Sequence, residues 1–262
     1  MKTNYHTHTI RCQHASGSDE AYVISAIKSG FDILGLSDHT PWRYDSDFVA
    51  NMRMREVELE GYVSSLRELR QRYSGIIDIK IGLECEYFPK YIDWLLENVE
   101  KYKIDYLIFG NHYYPSDEVS SYFGHGKKDA ARLEEYVRST CEGMESGLFA
   151  YLAHPDLFLR GYGEFDQAAE EACHAICKKA KELDFILEYN LAGLRYSRSS
   201  NEVGYPHPKF WEIASKYKCK AIVGVDAHNN AHLEMDDDYE EAIIYLKLHG
   251  LEVVNEIPMR KY

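Results

Sequence analysis

Residues 31–39 read FDILGLSDH: after Phe31 and Asp32, an apolar run from Ile33 to Leu36 that ends abruptly in Ser37, Asp38 and His39. A short apolar run bounded by polar residues reads as a buried strand. Six more runs follow the same plan: TNYHTHT (3–9), IDIKIGLECEY (77–87), YLIFGNHYY (106–114), FAYLAHPD (149–156), FILEYNLA (185–192) and AIVGVDAH (221–228). Between them lie amphipathic stretches at 19–30, 61–73, 90–102, 128–144 and 166–183, with a last one at 240–250. Strand and helix in alternation is the pattern of βα units on a parallel sheet. Seven units suggest an α/β barrel, closed or nearly so, with an open doubly wound sheet as the alternative. In either architecture the functional groups collect at the carboxyl ends of the strands.

The chain has 262 residues and no repeat, low-complexity segment or Gly/Ser linker, so we read 1–262 as one domain. Its formal charge is −13, with 43 acidic against 30 basic side chains. That balance speaks against a nucleic-acid partner, which needs a Lys/Arg surface. An anionic substrate would have to be held locally, by metals or arginines. No apolar run reaches the length of a membrane span, and the N-terminus carries histidines where the apolar part of a signal peptide would lie. A cytoplasmic protein is therefore expected, with Cys12, Cys85, Cys141, Cys173, Cys177 and Cys219 reduced. Cys173 and Cys177, which flank His174, read as core packing. Asp236, Asp237 and Asp238 read as charge complementing a helix N-terminus.

The strand ends share one chemistry. The first run carries His6 and His8, the second Asp38 and His39, the third Glu84 and Glu86. The fourth ends in Asn111 and His112, the fifth in His154, and the seventh in Asp226 and His228, while the sixth carries Glu188 and Asn190. Side chains at i and i+2 of a strand share a face, so His6 projects with His8, Glu84 with Glu86 and Asp226 with His228. Imidazoles and carboxylates without cysteine suit zinc, manganese, iron or cobalt. Packed into a barrel mouth without metal, they would be desolvated and poorly paired. Asp38 points away from His39 if the strand continues, and reads as orienting an imidazole; Glu86 and Asn111 read the same way. Tyr113 and Tyr114 are candidates for a pocket wall. His125, His174, His232 and His249 have no motif context.

Taken in order, HTH (6–8), SDH (37–39), GLE (82–84), GNH (110–112), AHP (153–155) and DAH (226–228) resemble the polymerase and histidinol phosphatase (PHP) superfamily. The likeness covers nearly the whole chain, and the chain length together with His14 resembles the superfamily's histidinol-phosphatase branch. It implies a distorted (β/α)7 barrel with three divalent metal ions at the carboxyl ends of the strands, zinc favoured. By the same resemblance His6, His8, Glu84 and Asp226 hold the first ion. Glu84 bridges to a second, shared with His112 and His154, and His14, His39 and His228 hold the third. The implied reaction is hydrolysis of a small phosphate monoester, L-histidinol phosphate, by a metal-activated hydroxide, with Glu84 and Asp226 in the catalytic set. A phosphodiesterase or exonuclease of the superfamily and an inert, metal-stabilised interaction domain are the alternatives. The negative charge counts against the first. Nine ligands, where a closed structural site uses four, count against the second.

Arg160 in FLRGYG and Arg195 in AGLRYSR follow the fifth and sixth strands and can grip phosphate through a guanidinium fork, unless each is a solvated surface residue. His207 in YPHPK, fixed between prolines, is a candidate phosphate contact or general acid, with a structural loop histidine as the alternative.

Overall fold

A computed structural model of the chain describes residues 1–200 and 204–259. Eight parallel strands form one sheet in sequence order: β1 Thr3–Asn4, β2 Ile33–His39, β3 Asp78–Cys85, β4 Tyr106–Phe109, β5 Tyr151–Leu152, β6 Ile186–Asn190, β7 Lys220–Gly224 and β8 Glu252–Val253. The sheet curls until its first and seventh strands meet at the carboxyl ends. There Thr7 bridges Ala227 in parallel, with the His8 N–H donating to the Ala227 carbonyl at 2.9 Å. At the opposite end β8 lies against β7, and the Thr3 hydroxyl donates to the Asn255 carbonyl at 2.7 Å. The seven-unit barrel read from the sequence is therefore present, with an eighth strand of two residues, too short to signal itself, inserted at the amino ends.

The helices that cross over between strands are α1 Asp19–Lys28, α2 Leu59–Arg72, α3 Ile92–Tyr102 and α4 Ala130–Glu145. The later ones are α5 Phe158–Tyr162, α6 Gln167–Glu182, α7 Leu191–Ser200, α8 Pro208–Lys216 and α9 Asp236–Leu248. Ser18 caps α1 by accepting from the Ala21 N–H, and the three aspartates 236–238 form the first turn of α9, where negative charge meets the positive end of the helix. No helix among the described residues is long and apolar enough to cross a membrane.

Period-two alternation sorts the strand residues into two layers. Leu34, Leu36, Leu107, Phe109, Leu152, Leu187, Ala221 and Val223 face outward into the core shared with the helices, which also takes in Cys173 and Cys177. Tyr5, Ile33, Tyr106, Ile108, Tyr151, Ile186 and Ile222 face inward and fill the lower barrel. The Tyr106 hydroxyl donates to the Tyr5 carbonyl at 2.7 Å, which satisfies the one polar group that this tyrosine buries. Followed towards the carboxyl ends, the inward face turns polar. It reaches His39, in register with Glu84, and Asn190, in register with Gly224. The apolar plug thus leaves a polar cup at one end only.

Candidate metal centre and active site

Within the cup, imidazole nitrogens approach one another in pairs. The Nε2 atoms of His6 and His8 lie 3.2 Å apart, those of His112 and His154 3.2 Å, and those of His14 and His228 2.9 Å. The tautomers of two of these rings follow from their other partners. His6 Nδ1 faces Glu188 Oε1 at 2.8 Å and His112 Nδ1 faces Glu86 Oε1 at 3.0 Å. An ionised carboxylate only accepts, so each Nδ1 carries a hydrogen and Nε2 is the nitrogen turned towards the cup. Two nitrogens bound to one tetrahedral zinc at 2.0–2.1 Å stand roughly 3.3 Å apart, which matches the first two pairs.

The carboxylates are placed to complete such sets. Glu84 Oε2 lies 3.4 Å from His6 Nε2, 3.4 Å from His8 Nε2 and 3.0 Å from His39 Nδ1. Its Oε1 lies 2.9 Å from His154 Nε2 and 3.4 Å from His112 Nε2. Asp226 Oδ1 lies 3.2 Å from His8 Nε2 and 3.3 Å from His228 Nδ1. Glu84 Oε2 and Asp226 Oδ1 are buried without a hydrogen-bond partner among the described residues. Such orphans are costly unless something satisfies them. The donor set, its spacing and these two oxygens all fit divalent metal ions.

Two candidate ligand positions are bent out of the strand. His154 has φ +30° and Asp226 φ +48°, in the left-handed region that non-glycine residues avoid. Strand β6, which offers no ring to the cup, holds both in place. Glu188 Oε2 accepts from the His154 N–H at 3.1 Å, and Asn190 Nδ2 donates to Asp226 Oδ2 at 3.1 Å. Arg195 Nη2 donates to the Val225 and Asp226 carbonyls at 2.9 and 3.2 Å. Glycines make the room: a Cβ on Gly224 would overlap the Glu188 carboxylate, and one on Gly110 would overlap Glu84 and His112.

In the metal-free chain the rings differ in basicity. Burial drives the His14 imidazole down to about 4, with His228 and His8 adding to the effect, and it drives His39 well below its ordinary value. Burial also opposes charge on His6, but Glu188, Asp226 and Glu84 outweigh it and raise that ring well above the usual range. Burial would likewise raise Glu84 and Asp226, yet the surrounding histidines hold both carboxylates well below theirs.

The cup opens into a cavity of about 460 Å³ lined by ring and carboxylate groups of the cluster and by Asn51, Met52, Tyr113, Tyr122, His125 and Tyr205. The sequence pointed to Tyr113 alone among these six. Tyr114 turns away to donate to Glu142. His125, which no motif marked, stands beside Arg160, whose Nη2 lies 3.5 Å from His125 Nε2 while its guanidinium covers the Tyr196 ring at 4.1 Å. Arg195 is half-buried on α7 behind the Asp226 turn, and its Nη1 is buried without a partner among the described residues. His207 is elsewhere. It is the N-cap of α8, accepting from the Lys209 N–H, and its ring stacks on Phe165 at 4.9 Å. Its own N–H donates to Asp156, whose buried carboxyl is pushed up to about 7. The prolines fix the loop as expected, but the ring they fix serves a helix end. Asp38 Oδ1 lies 3.5 Å from His8 Nδ1, beyond hydrogen-bonding geometry, and the carboxylate instead accepts from the backbone N–H groups of Thr9 at 3.2 Å and His39 at 2.8 Å.

A parallel barrel with a histidine and carboxylate cup at its carboxyl ends is the plan of a metal-dependent hydrolase. The sequence pattern of the PHP domain matches residues 4–192, and the chain belongs to the PHP domain family. It is 28% identical over 230 residues, 85% of each chain, to a protein of Deinococcus radiodurans named "Probable histidinol-phosphatase". It is 25% identical over 255 residues, 87% of this chain and 94% of the other, to the histidinol-phosphatase of Bacillus subtilis. Its fold matches the crystal structure of histidinol phosphate phosphatase from Lactococcus lactis in complex with zinc, L-histidinol and phosphate. The TM-score is 0.71 at 17% identity, over 98% of both chains.

Proposed function

We propose that this chain is a metal-dependent phosphomonoesterase that hydrolyses L-histidinol phosphate to L-histidinol and phosphate, and that it works in the cytoplasm. The observation that carries the reading is Glu84, whose two oxygens are divided between two histidine sets on the floor of an open cavity. The relatives' names supply the substrate, and the cavity has the size of a small-molecule site.

Three divalent ions, with zinc favoured, would be held by His6, His8, Glu84 and Asp226, by Glu84, His112 and His154, and by His14, His39 and His228. When bound, such ions lower the pKa of a coordinated water and neutralise charge on phosphoryl oxygens. The protein's own part is placement. Glu188 and Glu86 fix the tautomers of His6 and His112, and Asn190 with Arg195 fixes the bent Asp226. Arg160, beside His125, grips the phosphoryl group through its fork, and Arg195 Nη1 supplies a second donor from behind Asp226. Tyr113, Tyr122 and Tyr205 wall the cavity and exclude bulk water from the leaving group. His207, engaged at its helix end, has no part in this mechanism.

The test is turnover by zinc-loaded protein of histidinol phosphate, an aryl phosphate and a bis-aryl phosphate. Phosphate release from histidinol phosphate with the highest kcat/KM is expected. Preference for the diester would replace this reading with the phosphodiesterase.

A further inference from the structure

Arg53 lies in the segment 40–55, which is irregular before residue 56 and exposed over most of 43–51, yet its own side chain is 2% exposed. An arginine is buried this far only when it is paired, and here every N–H of the guanidinium is used. Nε donates to Asp117 Oδ2 at 3.1 Å. Nη1 donates to the Thr40 carbonyl at 3.1 Å and to Glu86 Oε2 at 3.0 Å. Nη2 donates to Glu86 Oε1 at 3.0 Å and to Asp117 Oδ2 at 2.9 Å. Five donors meet five acceptor contacts, which fully satisfies the fork.

The two ends of this network do different things. Glu86 Oε1, held by Arg53, is the atom that accepts from His112 Nδ1 at 3.0 Å, and Trp42 Nε1 steadies the other oxygen at 3.0 Å. Asp117 belongs to the 113–120 loop and also accepts from the Tyr44 hydroxyl at 2.7 Å. Immediately before Arg53 stand Asn51 and Met52, which line the cavity, and the Met52 sulfur accepts from the Tyr113 hydroxyl at 3.1 Å. Gln13, one residue before His14, donates to the Arg53 carbonyl at 2.8 Å.

We infer that Arg53 is a positioning residue that latches the Asn51–Met52 wall of the substrate cavity to the His112 ligand, so that one side chain sets both metal binding and substrate fit. This rests on His112 being a metal ligand. An apolar side chain could anchor the loop equally well; only a planar fork spans Glu86 and Asp117 at once and returns on the Thr40 carbonyl. Without it Glu86 loses the two donors that aim Oε1 at His112, and two buried carboxylates are left without their cation. A lysine keeps the charge but has three donors on a single atom and cannot hold both carboxylates and the carbonyl in this geometry.

The experiment compares wild type with Arg53→Lys, Asp117→Asn and His112→Ala. It measures zinc affinity by chelator competition, the Tm of metal-free protein, and KM and kcat for p-nitrophenyl phosphate. For Arg53→Lys one zinc equivalent is expected to bind about 10- to 100-fold more weakly, the usual effect of losing the partner that orients a ligand. Excess zinc should then restore kcat while KM stays raised. Asp117→Asn, which loosens only the outer half of the latch, should raise KM and leave zinc affinity unchanged. Wild-type zinc affinity in Arg53→Lys, while His112→Ala loses an equivalent of zinc, overturns the latch alone. If His112→Ala keeps every equivalent, the ligand reading fails and the latch with it. Should metal-free Arg53→Lys be unfolded at assay temperature, Asp117→Asn decides: a raised KM with intact zinc binding supports the latch, and an unchanged KM overturns it.

Discussion

His6 and Glu188 meet at the centre of the barrel through a 2.8 Å contact between Nδ1 and Oε1, and both side chains are fully buried. The same carboxylate accepts from the His154 N–H at 3.1 Å and from Asn190 Nδ2 at 2.8 Å. One side chain on β6 therefore ties a ring of the first set to the bent backbone of the second. Glu188→Gln keeps the shape but replaces one acceptor oxygen with a donor amide, which must oppose either the His6 Nδ1–H or the His154 N–H. Zinc affinity is expected to fall about 10- to 100-fold, with the fold retained in circular dichroism. Chelator competition checks it, and wild-type affinity in this variant would show that β6 does not brace the centre.

The room for Glu188 comes from Gly224. A methyl group there would overlap the carboxylate, and the strand backbone has little freedom to withdraw. Gly224→Ala should lose about 1–3 kcal/mol of stability, as overpacked cores do, and should bind zinc more weakly than wild type. Urea midpoints of the metal-free proteins measure the first effect. A midpoint equal to wild type would mean that the carboxylate moves aside freely.

Zinc binding should also depend on pH with a defined sign. In the metal-free chain burial works against charge on His6 and His8, but the carboxylates beside them prevail and raise both rings well above the ordinary value. A raised imidazole stabilises the metal-free fold below about pH 6.5, and that contribution is lost as pH rises through the raised value. Zinc needs the same nitrogens unprotonated, so binding releases protons and tightens with rising pH. His14, pushed down to about 4, carries no proton in this range and adds nothing to the slope. The gain in Tm on adding zinc should therefore grow between about pH 6 and pH 8. A gain that is flat or shrinks with pH contradicts the assignment of His6 and His8 as ligands.

Metal content tests the whole set. About three divalent ions per chain are expected in protein purified without chelator, because nine candidate ligands exceed what two four-coordinate sites would use. Glu84→Ala should lower activity on the order of tenfold or more beyond His14→Ala, since Glu84 serves two sets and His14 one. Elemental analysis showing a single ion in active protein, or comparable losses in the two variants, would refute the trinuclear arrangement.

What could be read from the sequence was whatever sits where its strand ends. His6, His8, Glu84 and His112 are carried by elements that announce themselves through apolar runs, and period two then says which residues share a face. The rest depended on contacts between distant segments. Arg53 reads as one charge in the polar stretch NMRMRE, and its burial is set by Glu86 and Asp117, which lie 33 and 64 residues away. His125 reaches the cavity by the path of an irregular loop, which no periodicity encodes. His207 carried a real signal, a ring fixed between prolines, but a proline at the first helical position also marks a helix start, and that is the use the fold makes of it. Asp38 read as the partner of an imidazole, but its carboxylate is taken up by the backbone N–H groups of Thr9 and His39, contacts that no periodicity encodes.

The last prediction concerns the two arginines. Arg160 stands beside His125, which lines the cavity, and Arg195 holds the Asp226 turn with Nη2 while Nη1 has no partner among the described residues. If both grip the phosphoryl group, each acts on charge that grows on its non-bridging oxygens in the transition state. Removing a preorganised donor of this kind costs about 2–4 kcal/mol, or roughly 30- to 1000-fold in kcat/KM. The variants should differ in one respect. Arg160 contacts His125 and Tyr196, so Arg160→Ala should keep its metal content, whereas Arg195→Ala also frees the bent Asp226 and should bind zinc more weakly. Arg160→Lys should recover only part of the loss, because an ammonium keeps the charge without the planar fork. A solvated surface role for Arg160 predicts nearly normal kinetics in both of its variants. Measuring kcat/KM together with bound zinc for Arg160→Ala, Arg160→Lys and Arg195→Ala separates these outcomes. More than about half of the activity left in Arg160→Ala, against the roughly 30-fold minimum expected, would move the phosphate grip to His125, its neighbour on the cavity wall.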